Sequence, residues 1–364
     1  MTTKTQPIKF YNIADDLAAY PDAWAYVIIG GRNTGKTYST LTHYYDEEKK
    51  IIFVKRTNED IDTLTSGNKL GQKGTEYDLD ISPYADINID RGTEVKAFKV
   101  RAGLGAFYNT VDNEAKGSPI GFLASLSRVS RIKGFGGLQI CSAMVFDEFI
   151  PQPWDRVDKK EGDQLMELYK TVARAKFIKY GEELKLILLA NAVNIWNPTC
   201  ETLELVDIIS NMCAKHQETC YLEEQKIFIR ILETPPEILE KEKQSGIYKT
   251  MKNTAWGRMA FGNEFAYNDF SQIRKVPLKG YRPLVSIVYK NKTWYIYNNE
   301  DTFYMTNSLA RNVKQYDLNR ESDQKAFFYD QVIDLQTYTI ERRMWYEDYT
   351  MYDAIVNYKK RFKV

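Results

Sequence analysis

An apolar stretch at residues 26–29 runs directly into Gly-Gly-Arg-Asn-Thr-Gly-Lys-Thr at residues 30–37. The spacing Gly-x-x-x-x-Gly-Lys-Ser/Thr is met by Gly30, Gly35, Lys36 and Thr37. Its physical sense depends on a strand before it and a helix after it. Glycines let backbone N–H groups wrap a phosphate, and the helix end adds the positive pole of its dipole. Lys36 is then placed for the β and γ phosphates and Thr37 for Mg²⁺, so Gly30, Gly31, Arg32, Asn33, Thr34, Gly35, Lys36 and Thr37 form a candidate ATP-binding segment. Such a loop commits the chain to an α/β architecture.

The rest of the first two hundred residues fits that commitment. Short β-branched and apolar runs at 26–29, 51–55, 143–146 and 186–190 alternate with helical stretches, the pattern of a parallel sheet covered by helices. Each run ends in polar residues, and ligands of open α/β sheets bind beyond the carboxyl ends of the strands. The third run ends in Asp147-Glu148. Behind a phosphate loop, this pair reads as a Walker B strand, with Asp147 in the Mg²⁺ shell and Glu148 polarising the attacking water. The fourth ends in Asn191, whose amide either senses the γ phosphate or only turns the chain. Between the second and third runs lies a long insertion, where Gly67, Gly71, Gly74, Gly103 and Gly105 suggest loops and hairpins.

A helix expected over residues 164–175 carries an apolar stripe of Leu165, Leu168 and Val172, with Arg174 near its end. Phosphoryl transfer calls for a cation on the transferring group, often supplied in trans. Arg174 is therefore either such a finger or an ordinary solvated arginine. Lys133, in the glycine-rich run 131–137, is a second candidate for catalysis or for a phosphate backbone.

After an alternating run at 226–233 the composition changes. Thr234-Pro-Pro-Glu237 reads as a helix start with Thr234 as N-cap, and Gly246 as a stop for the charged helix between. Beyond it, alternating runs at 284–289 and 293–297 flank a turn at 290–292. Trp345, Tyr349, Tyr352 and Val356 then recur at helical spacing before a basic tail from Lys359. The expected division is an ATPase domain at 1–233, a helical linker at 234–270 and a smaller α+β domain at 271–364.

Lys+Arg 50 against Asp+Glu 49 leaves a formal charge of +1, so contact with nucleic acid has to be local. No apolar run approaches the roughly 20 residues of a membrane span, and the N-terminus does not resemble a secretory signal. Cys200, Cys213, His216 and Cys220 have a loosely zinc-like spacing, but paired Cys-x-x-Cys knuckles are lacking and ordinary buried thiols are the better reading.

Val145-Phe-Asp-Glu-Phe149, Thr171-Val-Ala-Arg174, Asn191-Ala-Val-Asn194 and Asn197-Pro198, followed by Trp256-Gly-Arg258, Asn263-Glu-Phe265 and Ser286-Ile-Val-Tyr289, resemble the DNA-packaging ATPases of small short-tailed phages, the phi-twenty-nine-like Picovirinae type. The resemblance implies a P-loop NTPase of the additional-strand, catalytic-glutamate class followed by an RNase H-like domain without nuclease carboxylates. It further implies a homo-oligomeric ring, a pentamer, that hydrolyses ATP to move double-stranded DNA through a portal into a prohead, with prohead RNA as another partner. Such a protein works in the host cytoplasm, docked transiently on the prohead and absent from the mature virion. Arg174 matches the family's trans-acting arginine and Lys133 a trans-acting or DNA-contacting lysine. The run 284–289 contains no Asp or Glu, in keeping with a lost two-metal site. Asn58 departs from the basic residue expected after Lys55-Arg56-Thr57. On the residues alone, a helicase or recombination-type ATPase and a non-catalytic nucleotide-binding module stay open.

Overall fold

A computed structural model of the chain describes residues 10–65, 82–132, 135–254, 257, 265, 268–362 and 364. These fall into two compact units, Met1–Leu203 with His216–Tyr267, and Glu204–Lys215 with Asn268–Val364.

In chain order the first unit contains α1 (Ile13–Ala19), β1 (Ala25–Gly30), α2 (Lys36–Asp46), β2 (Ile51–Lys55), α3 (Asn58–Thr65), α4 (Ala85–Arg91), β3 (Val95–Arg101), β4 (Leu104–Val111), β5 (Glu114–Ser125), α5 (Val129–Ile132), β6 (Ala143–Asp147), α6 (Glu161–Tyr180), β7 (Lys185–Ala190), α7 (Pro198–Thr202), β8 (Thr219–Leu222) and β9 (Ile227–Leu232). The strands form one sheet in the order β3-β4-β5-β2-β6-β7-β1-β9-β8. From β5 to β9 every neighbouring pair is parallel. All of β1 is buried, as are the first four residues of β2 and of β6. Burial on both faces is why these strands are unbroken apolar runs rather than alternating ones.

One strand, β7, lies between β1 and β6, pairing Ile29 with Ala190 and Asp147 with Leu189. The polar residues that follow these three strands therefore leave the sheet side by side at its carboxyl edge. The insertion after β2 is resolved into a meander: β3, β4 and β5 pair antiparallel, and β5 returns parallel to β2. Gly103, at φ 79°, makes the β3–β4 turn, a conformation that glycine adopts without a Cβ penalty. Gly67, Gly71 and Gly74 lie outside the described residues.

Two local expectations need correction. Thr234 does not cap a helix. The helix begins at Pro236 behind Pro235, whose ring offers no hydrogen-bond acceptor to cap with, and Gly246 starts the next helix, Gly246–Met251, capped by Ser245. Nor does Trp345 belong to the C-terminal helix. It sits in a strand that pairs with a neighbour, and the helix starts only at Tyr349, after Asp348.

The second unit holds α8 (Val206–Ala214) and β10 (Arg282–Tyr289), β11 (Lys292–Asn299), β12 (Thr302–Thr306), β13 (Lys314–Asp317) and β14 (Met344–Tyr346), with helices at Glu321–Phe327, Ile333–Ile340 and Tyr349–Val356. Its sheet order is β13-β10-β11-β12-β14. The three central strands are an antiparallel meander, with β13 parallel to β10 and β14 parallel to β12. Its core mixes aliphatic side chains with large aromatic ones, including Trp294, Phe327, Tyr346 and Tyr358. Helix α8 lies within the expected 1–233 domain in sequence yet belongs to this unit. The Asp207 carboxylate accepts from the Thr350 N–H at 2.9 Å and its hydroxyl at 2.8 Å, and Lys292 stands 3.4 Å away. No described helix is long and apolar enough to cross a membrane.

Candidate active site

The loop between β1 and α2 takes its shape from two left-handed residues, Asn33 at φ 60° and Gly35 at φ 89°. Gly35 is the N-cap of α2, so the helix dipole points into the loop. Gly30 has a packing reason as well: it pairs with Leu232 on β9, and a Cβ there would meet the Leu232 Cβ at 2.8 Å.

Lys36 is buried and folded back on the loop. Its ammonium donates to the carbonyls of Gly30 at 3.1 Å and Gly31 at 2.7 Å, to the Thr34 hydroxyl at 3.2 Å and to the Asn191 Oδ1 at 3.4 Å. Burial lowers its pKa to about 8, against which the charge of Asp147 pulls the other way. The Thr37 hydroxyl donates to Asp147 Oδ1 at 3.1 Å. Burial raises the Asp147 carboxyl, opposed chiefly by Lys55, whose ammonium is 3.8 Å from Asp147 and 3.6 Å from Glu148.

Glu148 is exposed and has φ 60°, a backbone state that costs a non-glycine residue roughly 1–3 kcal/mol unless its surroundings enforce it. Arg56 is one such enforcing contact. Its Nη2 donates to the carbonyls of Glu148 at 3.1 Å and Phe149 at 3.3 Å, while Nε binds the buried carboxylate of Glu161 at 2.5 Å. The Phe149 N–H donates to Leu189 O at 3.2 Å, tying the same turn to β7.

Arg32, Asn33, Thr34, Gly35, Lys36, Thr37, Asp147, Glu148 and Asn191 thus line a single cleft of about 430 Å³. Gly30 and Gly31 are not among them and touch the site only through the carbonyls that accept from Lys36. Arg174 is not among these residues. It is exposed on α6, its side chain making no hydrogen bond or ion pair among the described residues. Lys133 lies outside the described residues. The donor set suits Mg²⁺, which takes few protein ligands and keeps its other positions for water and phosphate. Thr37 and Asp147 already converge on one point from adjacent elements. Among the described residues no group of three or more His, Cys, Asp or Glu is placed to hold a metal ion. Cys200 is fully buried, and burial pushes its thiol up to about 12.

Lys55 and Arg56 are the site residues that the motif reading missed. Their signal was present as two cations at the carboxyl end of a buried strand. The strand order, which sets β2 beside β6, is what turns them onto Asp147, Glu148 and Glu161.

The family model of the podovirus DNA encapsidation protein (Gp16) matches residues 125–341. That span takes in β6, Arg174, Asn191 and much of the second unit. A solved structure, the Phi-28 gp11 DNA packaging motor, has the same fold, with a TM-score of 0.57 and 16% identity over 98% of this chain and 99% of that one. No curated protein matches the sequence. With well over half of its length matched by the family model, the chain belongs to the podovirus DNA encapsidation (Gp16) family.

Proposed function

We propose that this protein is the ATPase of a ring-shaped motor that drives double-stranded viral DNA into a preformed prohead. In this reading the first unit is a P-loop domain of the additional-strand, catalytic-glutamate class. The second is an RNase H-like domain without nuclease carboxylates that docks on the portal and prohead RNA. The observation that carries the proposal is the convergence of Lys36, Thr37, Asp147 and Asn191 at the ends of three adjacent parallel strands, in a chain of the encapsidation family. The mixed five-stranded sheet of the second unit is compatible in outline with the role given to it.

The chemistry follows from the geometry. ATP phosphates entering the cleft offer Lys36 better acceptors than the carbonyls of Gly30 and Gly31, and the ammonium transfers to them. Thr37 and Asp147 would hold Mg²⁺, which when bound neutralises charge on the β and γ phosphates. Glu148, exposed at the cleft and backed by Arg56, orients the attacking water and accepts its proton. Asn191, already bonded to Lys36, reports on the γ phosphate. Arg174, exposed and outside its own cleft, is available to a neighbouring subunit's nucleotide, which supports a trans role in a pentameric or other closed ring.

The test is packaging into proheads with wild type, Arg174→Ala and mixtures of the two. Wild type should package DNA with ATP turnover. The Arg174→Ala homomer should bind ATP but hydrolyse it at least about a hundredfold more slowly. Wild-type turnover by that homomer sinks the trans assignment, and failure of wild type to package sinks the motor.

A further inference from the structure

A second groove, of about 860 Å³, opens beside the phosphate cleft and shares Asn33, Gly35 and Tyr38 with it. Its walls come from the segment before α1, from α2 and from α4. Two of the protein's exposed large apolar side chains line it, Phe10 at 51% exposure and Ile89 at 80%. Phe10 lies against the phosphate loop, 3.1 Å from where a Cβ on Gly35 would stand.

The segment carrying Phe10 is held on the loop by several bonds. The Tyr11 N–H donates to Thr34 O at 3.1 Å, and the Ile13 N–H to the Ser39 hydroxyl at 2.8 Å. The Tyr11 hydroxyl donates to Asp16 at 2.9 Å, and Asp16, itself buried, takes a two-pronged grip from Arg230 on β9. The backbone that carries this exposed aromatic ring is thus tied to the loop beside it. The opposite end of the groove is rich in acceptors. Asp46, Glu47, Asp86 and Asp90 line it, Asp90 accepting from the Tyr38 hydroxyl at 2.8 Å and Asp46 gripped by Arg91.

We infer that this groove is the nucleoside seat of the site, with Phe10 as the stacking platform for a purine base. The proposal rests on the phosphate-cleft reading above and extends it along the ligand. The charge layout fixes the ligand's direction: phosphates belong at the Lys36 end, and a carboxylate-rich end repels further phosphate. Ribose hydroxyls and an exocyclic amine are hydrogen-bond donors, which those carboxylates can accept. The flat apolar part between them needs an aromatic face, and the wider purine ring covers more of Phe10 than a pyrimidine does.

The experiment is calorimetric binding of Mg·ADP and Mg·pyrophosphate to the full chain, which separates the nucleoside from the phosphates without turnover. Wild type should bind ADP at least about tenfold more tightly than pyrophosphate, the size of one base–aromatic stack. Phe10→Ala should lose that tenfold for ADP and keep pyrophosphate affinity, Phe10→Tyr should restore ADP, and Ile89→Ser should weaken ADP alone. Phe10 and Ile89 are exposed enough for these changes to spare the fold, which thermal melts check. Equal loss of both ligands in Phe10→Ala, or no loss of either, overturns the nucleoside seat. So does a wild type that binds the two ligands equally, though it leaves the phosphate cleft standing. Failure of wild type to bind either one overturns the cleft and the seat together.

Discussion

Lys36 is the residue whose environment makes the sharpest demand. Its ammonium is buried among carbonyls, and its pKa of about 8 lies below the ordinary 10.5. Between those two values the unfolded chain holds the proton and the folded, ligand-free protein does not, so stability rises with pH across that window. Lys36→Met removes the cost of the buried charge at every pH. Its stability gain over wild type, measured by urea unfolding, should therefore be largest near pH 7 and shrink toward pH 10, and a gain independent of pH refutes the assignment. Nucleotide affinity should move the opposite way, falling above pH 8, because the phosphates bind the ammonium form. Arg56 makes a different demand. It joins three groups from two segments, and Arg56→Lys keeps a cation near Glu161 but cannot span both carbonyls with a planar fork. With Glu148 less firmly held in its left-handed backbone state, kcat should drop about tenfold, the equivalent of one hydrogen bond, while the ATP KM stays nearly level. A matched fall in nucleotide affinity would show that Arg56 only supports the cleft.

At the scale of elements, the parallel strands were open to sequence reading because burial on both faces writes itself as an apolar run, as at 26–29 and 186–190. The strand–loop–helix turn was equally open where spacing alone marks it, as in Gly30, Gly35, Lys36 and Thr37. What stayed closed was everything that depends on which strands are neighbours. Arg56 and Glu161 are 105 positions apart, and nothing local marks them as partners. The strap at Phe10–Ile13 has neither periodicity nor a motif, and Trp345 kept helical spacing with Tyr349 while pairing in a strand. Helix packing hides a further dependence at Gly162. A Cβ there would come 2.4 Å from the Pro198 carbonyl and 2.3 Å from the Thr202 hydroxyl, so α6 can lie on α7 only without one. Gly162→Ala should gain helix propensity yet lose about 1–3 kcal/mol through forced displacement of α6, read as a lowered thermal midpoint. An unchanged or raised midpoint would mean that α7 yields freely.

For the molecule as a whole, the consequential feature is how the chain is shared between its units. It leaves the first unit after Leu203, returns at His216 and leaves again after Tyr267, so no single cut yields both units intact. Segment Glu204–Lys215 belongs to the second unit, where α8 packs on the helix Tyr349–Val356 and Asp207 bonds Thr350. Asp207 is the capping partner that Thr350 needs, since the helix Tyr349–Val356 has no side-chain cap from its own N-cap residue, Asp348. Asp207→Ala takes away that acceptor and the neighbour of Lys292 in one step. The cost should be about 1–2 kcal/mol, the range for loss of a helix-capping acceptor. Hydrogen exchange locates it: amides of α8 and of helix Tyr349–Val356 should exchange faster, while β1, β6 and β7 keep their protection. Faster exchange in β1, β6 and β7 of the same size would show that Glu204–Lys215 is an integral part of the first unit. ATP binding by Asp207→Ala should match wild type, because the substituted contacts lie wholly within the second unit and the cleft lies wholly within the first.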